Sequence, residues 1–155
     1  MIRPDLAGDD SSAAVEKEPK RLFVYGSLMK GFFNHEKSLE GKVLSCIPGK
    51  VHGILYHQSL KGYPAMVKGE GWVKGELLEL DEFDRLILLC DRLEGFIGPG
   101  NSSNEYERLV SPVKLENGDE TSAQVYWYVR HDLGSPDNPA IPVPSGDWRV
   151  FMQKP

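Results

Sequence analysis

The sequence predicts a small mixed, partly closed β-barrel of the α+β class with one main flanking helix. Three observations carry this expectation. About six short β-prone runs are punctuated by Gly and turn residues, one stretch has clear helical spacing, and one Asn-Gly pair marks a hairpin. At 155 residues and 40% hydrophobic content the chain is one domain in size, able to bury a core without disulfides or metals.

Residues 1–19 are rich in Asp, Ser, Ala and Glu with almost no large apolar side chain, and read as a disordered leader. A single domain is expected over 20–155. Leu22-Phe23-Val24-Tyr25 reads as a buried first strand halted by Gly26. Lys50–Tyr56 and Gly71–Leu80 are strand-like, with interior glycines that mark bulges or bends. Between them, Lys61–Val67 reads as a turn feeding a short extended segment.

The main helix is predicted to start at Asp81, whose carboxylate suits free N–H groups, with Glu82 and Asp84 at the positive end of the dipole. Phe83, Leu86, Ile87, Cys90 and Leu93 recur at helical spacing, and Gly95 ends the run. Tyr106–Leu115 and Thr121–Arg130 flank the hairpin turn at Asn117-Gly118. In the second arm Ala123, Val125, Trp127 and Val129 share one face and Gln124, Tyr126, Tyr128 and Arg130 the other. Pro136, Pro139, Pro142 and Pro144 predict an irregular tail, pinned to the body by Trp148, Val150 and Phe151.

Charge and composition narrow the function classes. The formal net charge is −5, and no basic cluster exceeds the pair Lys20-Arg21, so nucleic acid is not an expected partner. There is no apolar run of the ~20 residues a membrane span needs, and the N-terminus lacks the pattern of a secretory signal. A cytoplasmic protein, monomer or homodimer, is expected. Cys46 and Cys90 lie outside any CxxC pattern and read as two buried thiols. His35, His52, His57 and His131 show no metal-ligand spacing; the last three read as structural or exposed, and His35 either hydrogen-bonds a bound substrate or, the favoured reading, caps the next segment.

Three features are candidates for a shared pocket: the turn Tyr25-Gly26-Ser27-Leu28, the helix end Leu93-Glu94-Gly95, and the aromatic face carrying Tyr126 and Tyr128. A Gly-Ser turn after a buried strand offers backbone N–H groups to a carboxylate or an oxyanion. Ser27 has no His in a supporting frame, so its hydroxyl is read as a hydrogen-bonding group and not a nucleophile. Glu94 stands in the last helical turn, where the dipole disfavours its charged form, and apolar Leu93, Phe96 and Ile97 beside it add desolvation. Both effects move a carboxylate toward general-base range, although a solvated Glu at a helix end fits the position as well. Tyr63 and Tyr106 either line a cleft or pack in the core.

Phe23-Val24-Tyr25-Gly26-Ser27-Leu28, Pro64-Ala65 before Gly71–Leu80, Leu93-Glu94-Gly95, Tyr106-Glu107-Arg108 and Val125-Tyr126-Trp127-Tyr128 follow one another in an order that resembles the gamma-glutamylcyclotransferase superfamily, also called AIG2-like. The resemblance spans Leu22 to Tyr128. It implies a barrel whose pocket holds a γ-glutamyl group, with Tyr25, Gly26, Ser27 and Leu28 binding its α-carboxylate and amino group, Tyr63, Tyr106 and Tyr128 completing the binding site, and Glu94 as catalytic acid/base. The implied reaction converts a γ-glutamyl dipeptide or γ-glutamylamine to 5-oxoproline and a free amine, without metal or organic cofactor.

Two segments depart from the family pattern: a long loop, Gly98 to Asn104, expected to be flexible and to border the pocket, and the Pro-rich tail. Two rival readings stand beside the cyclotransferase. One is a non-catalytic small-ligand or protein-binding module on the same fold; the other is a hydrolase or amide-bond transferase using the same Glu94.

Overall fold

The computed structural model describes residues 18–153. The order of elements is β1 (Arg21–Val24), α1 (Phe33–Ser38), β2 (Val43–Gln58), β3 (Tyr63–Leu80), α2 (Phe83–Glu94), β4 (Tyr106–Leu115), β5 (Glu120–Tyr128), β6 (Ala140–Pro142) and α3 (Trp148–Met152). The strands run β3-β1-β5-β4-β2, and β2 pairs back onto β3, so five strands close a ring while β6 adds outside to β2. The sheet is mixed because β1 lies parallel to β5, at Leu22 opposite Gln124, and antiparallel to β3. Closure leaves the ring without the unpaired edges an open sheet exposes.

The expected barrel is therefore present, with longer strands than the sequence suggested. Lys50–Tyr56 is the middle of a 16-residue β2, and the two segments read as a turn region and a strand merge into an 18-residue β3. Their pairing slips between His52 and Ile54, at Gly53, as the interior glycine predicted. In β5 every residue from Ser122 to Tyr128 is buried, so the alternation there does not separate a wet face from a dry one. Tyr126 reaches across to α2 while Trp127 Nε1 donates to Ser111 Oγ at 3.1 Å.

α2 packs Phe83, Leu86, Ile87 and Cys90 of its expected stripe against the barrel, while Leu93, the last of the stripe, is exposed. Each Leu- or Ile-sized side chain covered in this way contributes roughly 1.5–3 kcal/mol. Its start differs from the prediction. Asp81 donates its amide to the Lys42 carbonyl, and Glu82, in a left-handed conformation, takes the cap position with its carboxylate held by Lys42 and Arg85.

The tail is less irregular than its prolines implied. Ala140–Pro142 pairs with Tyr56–Gln58, and α3 is capped by Asp147, which accepts from the Val150 amide. Trp148 is buried, donating to His57 Nδ1 at 3.0 Å, and Phe151 packs on the His57 ring; Val150 is exposed and pins nothing. Cys90 is buried as expected, but Cys46 is exposed on β2. The leader lies outside the described residues except for Glu18 and Pro19. Pro19 is buried and accepts from Gln124 Nε2, so the packed body begins ahead of Lys20. No helix among the described residues is long and apolar enough to cross a membrane.

Candidate functional site

β1 delivers the chain into a turn at the end of the barrel. Tyr25 anchors that turn, its hydroxyl donating to the Tyr126 carbonyl at 2.6 Å. Gly26 follows because the Pro64 ring leaves no room for a side chain: a Cβ there would stand 2.8 Å from Pro64 Cγ. The carbonyls of Gly26, Ser27 and Leu28 are each engaged. Gly26 accepts from the Met29 amide, Ser27 from the His35 amide, and Leu28 lies 2.8 Å from His35 Nδ1, which therefore carries the proton. The amides of Gly26, Ser27 and Leu28, in contrast, have no acceptor among the described residues. A turn that uses its carbonyls and leaves successive N–H groups free is a receptor for negative charge. Buried His35 locks the turn from behind instead of capping the segment it precedes.

Facing this turn is the end of α2. Gly95 adopts a left-handed conformation (φ 66°), and two bonds, Gly95 N to Arg92 O and Phe96 N to Asp91 O, stop the helix directly after Glu94. The Glu94 carboxyl makes no hydrogen bond or ion pair with any described residue. Burial, then the nearby charges of Glu105 and Asp91, push its pKa up to about 8.

Between turn and helix end lies a cavity of about 70 Å³, several times the ~10–15 Å³ that one water needs. The turn, Glu94, Tyr63 and Tyr106 line it, together with Asn34, Pro64 and Tyr126. Asn34 Nδ2 donates to Ser27 Oγ at 2.7 Å, which leaves the serine proton to be given to a bound group. Tyr106 is buried, and its hydroxyl donates to the Pro64 carbonyl at 2.5 Å, so it both packs and lines the cavity. Tyr63 donates to Glu105 Oε2 at 2.6 Å; burial and that carboxylate raise its pKa well above the phenol range.

Tyr128 does not line the cavity. Its hydroxyl donates to Asp132 at 2.7 Å and accepts from Asn138 and from Lys61, a cluster behind the site. The Gly98 to Asn104 loop does not line it either. Neither is the loop loosely tied, since Asn104 is buried and bridges the Ile97 amide, the Gly98 carbonyl and Glu107.

Three contributors went unread in the sequence, Asn34, Asp91 and Glu105, and Pro64 stood there only as part of the family pattern. Asp91 receives Arg108 Nε at 2.8 Å, Nη2 at 3.1 Å and the Tyr126 hydroxyl at 2.6 Å, tying α2 to β4 and β5. Glu105 receives Tyr63 and, at 3.0 Å, Lys61, and its amide donates to the Gly95 carbonyl. Only Asp91 left a sequence signal, a carboxylate one turn before Glu94 on the buried side of the stripe. Among the described residues no group of three or more His, Cys, Asp or Glu is arranged to hold a metal ion.

The family profile described as Gamma-glutamyl cyclotransferase, AIG2-like, matches residues 22–150. The chain belongs to that family. It is 33% identical over 111 residues, 72% of its length, to the Gamma-L-glutamyl-butirosin B gamma-glutamyl cyclotransferase of Niallia circulans, covering 68% of that protein. It is 32% identical over 133 residues to a provisionally named gamma-glutamylcyclotransferase of Methanocaldococcus jannaschii, with 84% of this chain and 96% of that one aligned. In architecture it resembles the crystal structure of YkqA from Bacillus subtilis (TM-score 0.60, 24% identity), covering 85% of this chain and 40% of that one. A Pyrococcus horikoshii protein gives a TM-score of 0.58 at 24% identity, with 85% and 92% covered. These two structural likenesses support the mixed α+β barrel with its flanking helices.

Proposed function

We propose that the protein is a cofactor-independent γ-glutamyl cyclotransferase that converts a γ-glutamyl amide to 5-oxoproline and a free amine. The observation that carries this reading is the pairing across one small cavity of an unpartnered Glu94 carboxyl with the free amides of Gly26, Ser27 and Leu28. Family membership supports it, as do the activities for which the two relatives are named.

In this mechanism the amides and the Ser27 hydroxyl hold the substrate's negative groups. Glu94 takes a proton from the α-ammonium, and the freed amine attacks its own γ-carbonyl carbon. As the tetrahedral centre collapses, the bond to the leaving nitrogen breaks, Glu94 returns its proton to that nitrogen, and the ring nitrogen sheds its second proton to the departing amine, which leaves as an ammonium. One carboxylate serves both transfers, which suits a group whose charged and neutral forms are both populated near neutral pH. Nucleophile and electrophile share a molecule, so the pocket has chiefly to fold the substrate and keep it in attack geometry.

The test is incubation of wild type and Glu94→Gln with γ-glutamyl dipeptides and γ-glutamylamines, reading 5-oxoproline by mass spectrometry after both variants are shown to fold. The reading expects 5-oxoproline from wild type and a loss of at least ~10²-fold in the variant. Free glutamate in place of 5-oxoproline would indicate water attack and a hydrolase. No product of either kind across the panel would favour the binding module.

A further inference from the structure

The outer wall of the barrel carries a second concavity, made from residues the proposed chemistry does not use. Its floor is a row of three lysines on adjacent strands. Lys50 of β2 stands directly opposite Lys74 of β3 on one side and directly opposite Lys114 of β4 on the other. Directly paired residues share a face, and the neighbours Val51, Val73 and Val113 are buried in the core, so the lysine row points outward. Like charges placed opposite one another on a sheet cost stability. None of the three forms an ion pair with a described residue; Lys50 rests its ammonium 4.4 Å from the centre of the Trp72 ring.

These side chains border a cleft of about 500 Å³, walled by Met29 and the Asp147–Arg149 segment on one side and by Leu115, Glu116 and Gly118 on the other. Three carboxylates reach the cleft. Glu76 is engaged by Arg149 at 2.9 Å and by the Lys30 amide, and Asp147 is engaged in capping α3. Glu116 sits at the rim beside the hairpin turn. In a protein of net charge −5, the row therefore concentrates three ammonium groups, none of them in an ion pair, on a concave floor where only Asp147 and Glu116 add unpaired negative charge.

We infer that this cleft is a binding site for a small multivalent oxyanion, a phosphate or diphosphate group, held by Lys50, Lys74 and Lys114. At ~4.8 Å between strands the row spans about 10 Å of backbone, short enough for three long arms to converge on one such group. Lysine suits it as a mobile point charge with three donors. The site does not depend on the reaction at Glu94.

The test is titration of the full chain with inorganic pyrophosphate at constant ionic strength, by calorimetry and by thermal melting. Saturable binding is expected, weakened at least tenfold by Lys50→Gln and by Lys74→Gln, and unchanged by Glu94→Gln. In low-salt buffer Lys50→Gln is expected to melt at or above the wild-type temperature, because it relieves repulsion; pyrophosphate should then raise the wild-type midpoint and leave the variant's unmoved. Absence of saturable binding, or wild-type affinity in both lysine variants, overturns the proposal. So does saturable binding of an acidic peptide with none of pyrophosphate.

Discussion

Asp91 and Glu94 stand one turn apart on the same helix, and their surroundings separate structure from chemistry. Asp91 is met by both arms of Arg108 and by the Tyr126 hydroxyl, so its charge is fully compensated and ties α2 to two strands. Glu94 is left without a partner beside a cavity, next to the negative end of the helix and two other carboxylates. A side chain so placed costs the fold something, and that cost is the sign of a group kept for another purpose.

The comparison breaks most visibly if the two residues are exchanged in role. Glu94→Gln is expected to reduce 5-oxoproline formation by at least ~10²-fold with no loss of stability in urea. Asp91→Ala should do the reverse to the fold. It strands a buried phenol and leaves a part-buried guanidinium with only Gln124, and a loss of ~2–4 kcal/mol in the urea midpoint analysis is expected. If Asp91→Ala left stability within ~0.5 kcal/mol of wild type, the contrast would fail.

The turn opposite Glu94 supplies the next test. Gly26→Ala forces a methyl against Pro64, and overpacking of this kind costs typically ~1–3 kcal/mol. Because the strain falls on the free amides, KM for a γ-glutamyl substrate should rise as well. A folded variant with unchanged KM would show that the amides do not hold substrate.

The unpaired carboxyl should also be visible in stability against pH. Its pKa is raised by folding, from 4.5 to about 8, so the unfolded chain releases the proton first. Stability from this group is therefore complete below about 4.5, declines as pH rises, and is fully lost above about 8. Relative to wild type, Glu94→Gln should gain ~1–2 kcal/mol at pH 8.5, roughly 3–6 °C in Tm, and nothing at pH 4. Equal melting curves at both pH values would contradict the raised pKa.

Asn34→Ala is the smallest change expected. It removes one hydrogen bond that orients Ser27, worth ~1 kcal/mol, and should raise KM several-fold with little change in kcat.

How much of this was legible in the sequence follows from range. Gly95 and the 3.6-residue stripe are local, so the end of α2 and the position of Glu94 could be read directly. The turn Tyr25–Leu28 could be read too, since a β-run broken by Gly-Ser is also a local pattern. What escaped depends on distant pairing: Asn34 on Ser27 became visible only once α1 folded back, and Glu105 on Tyr63 only once β3 and β4 closed the ring. Tyr128 shows the opposite failure. It shares a face with Tyr126 by alternation, yet Asp132 and Asn138, brought by the tail, draw its hydroxyl into a separate cluster. The tail's own order rests on Trp148 meeting His57, 91 residues away, which no spacing rule contains.

The central claim is that Glu94, unlike its neighbour one turn back, is held unpaired and mostly protonated at neutral pH. The most direct measurement is a carbon-13 NMR titration of the glutamate side-chain carboxyls, with the Glu94 resonance assigned by its absence in Glu94→Gln. The account predicts a Glu94 transition near pH 8. A transition in the ordinary carboxylate range near pH ~4.3 would contradict it.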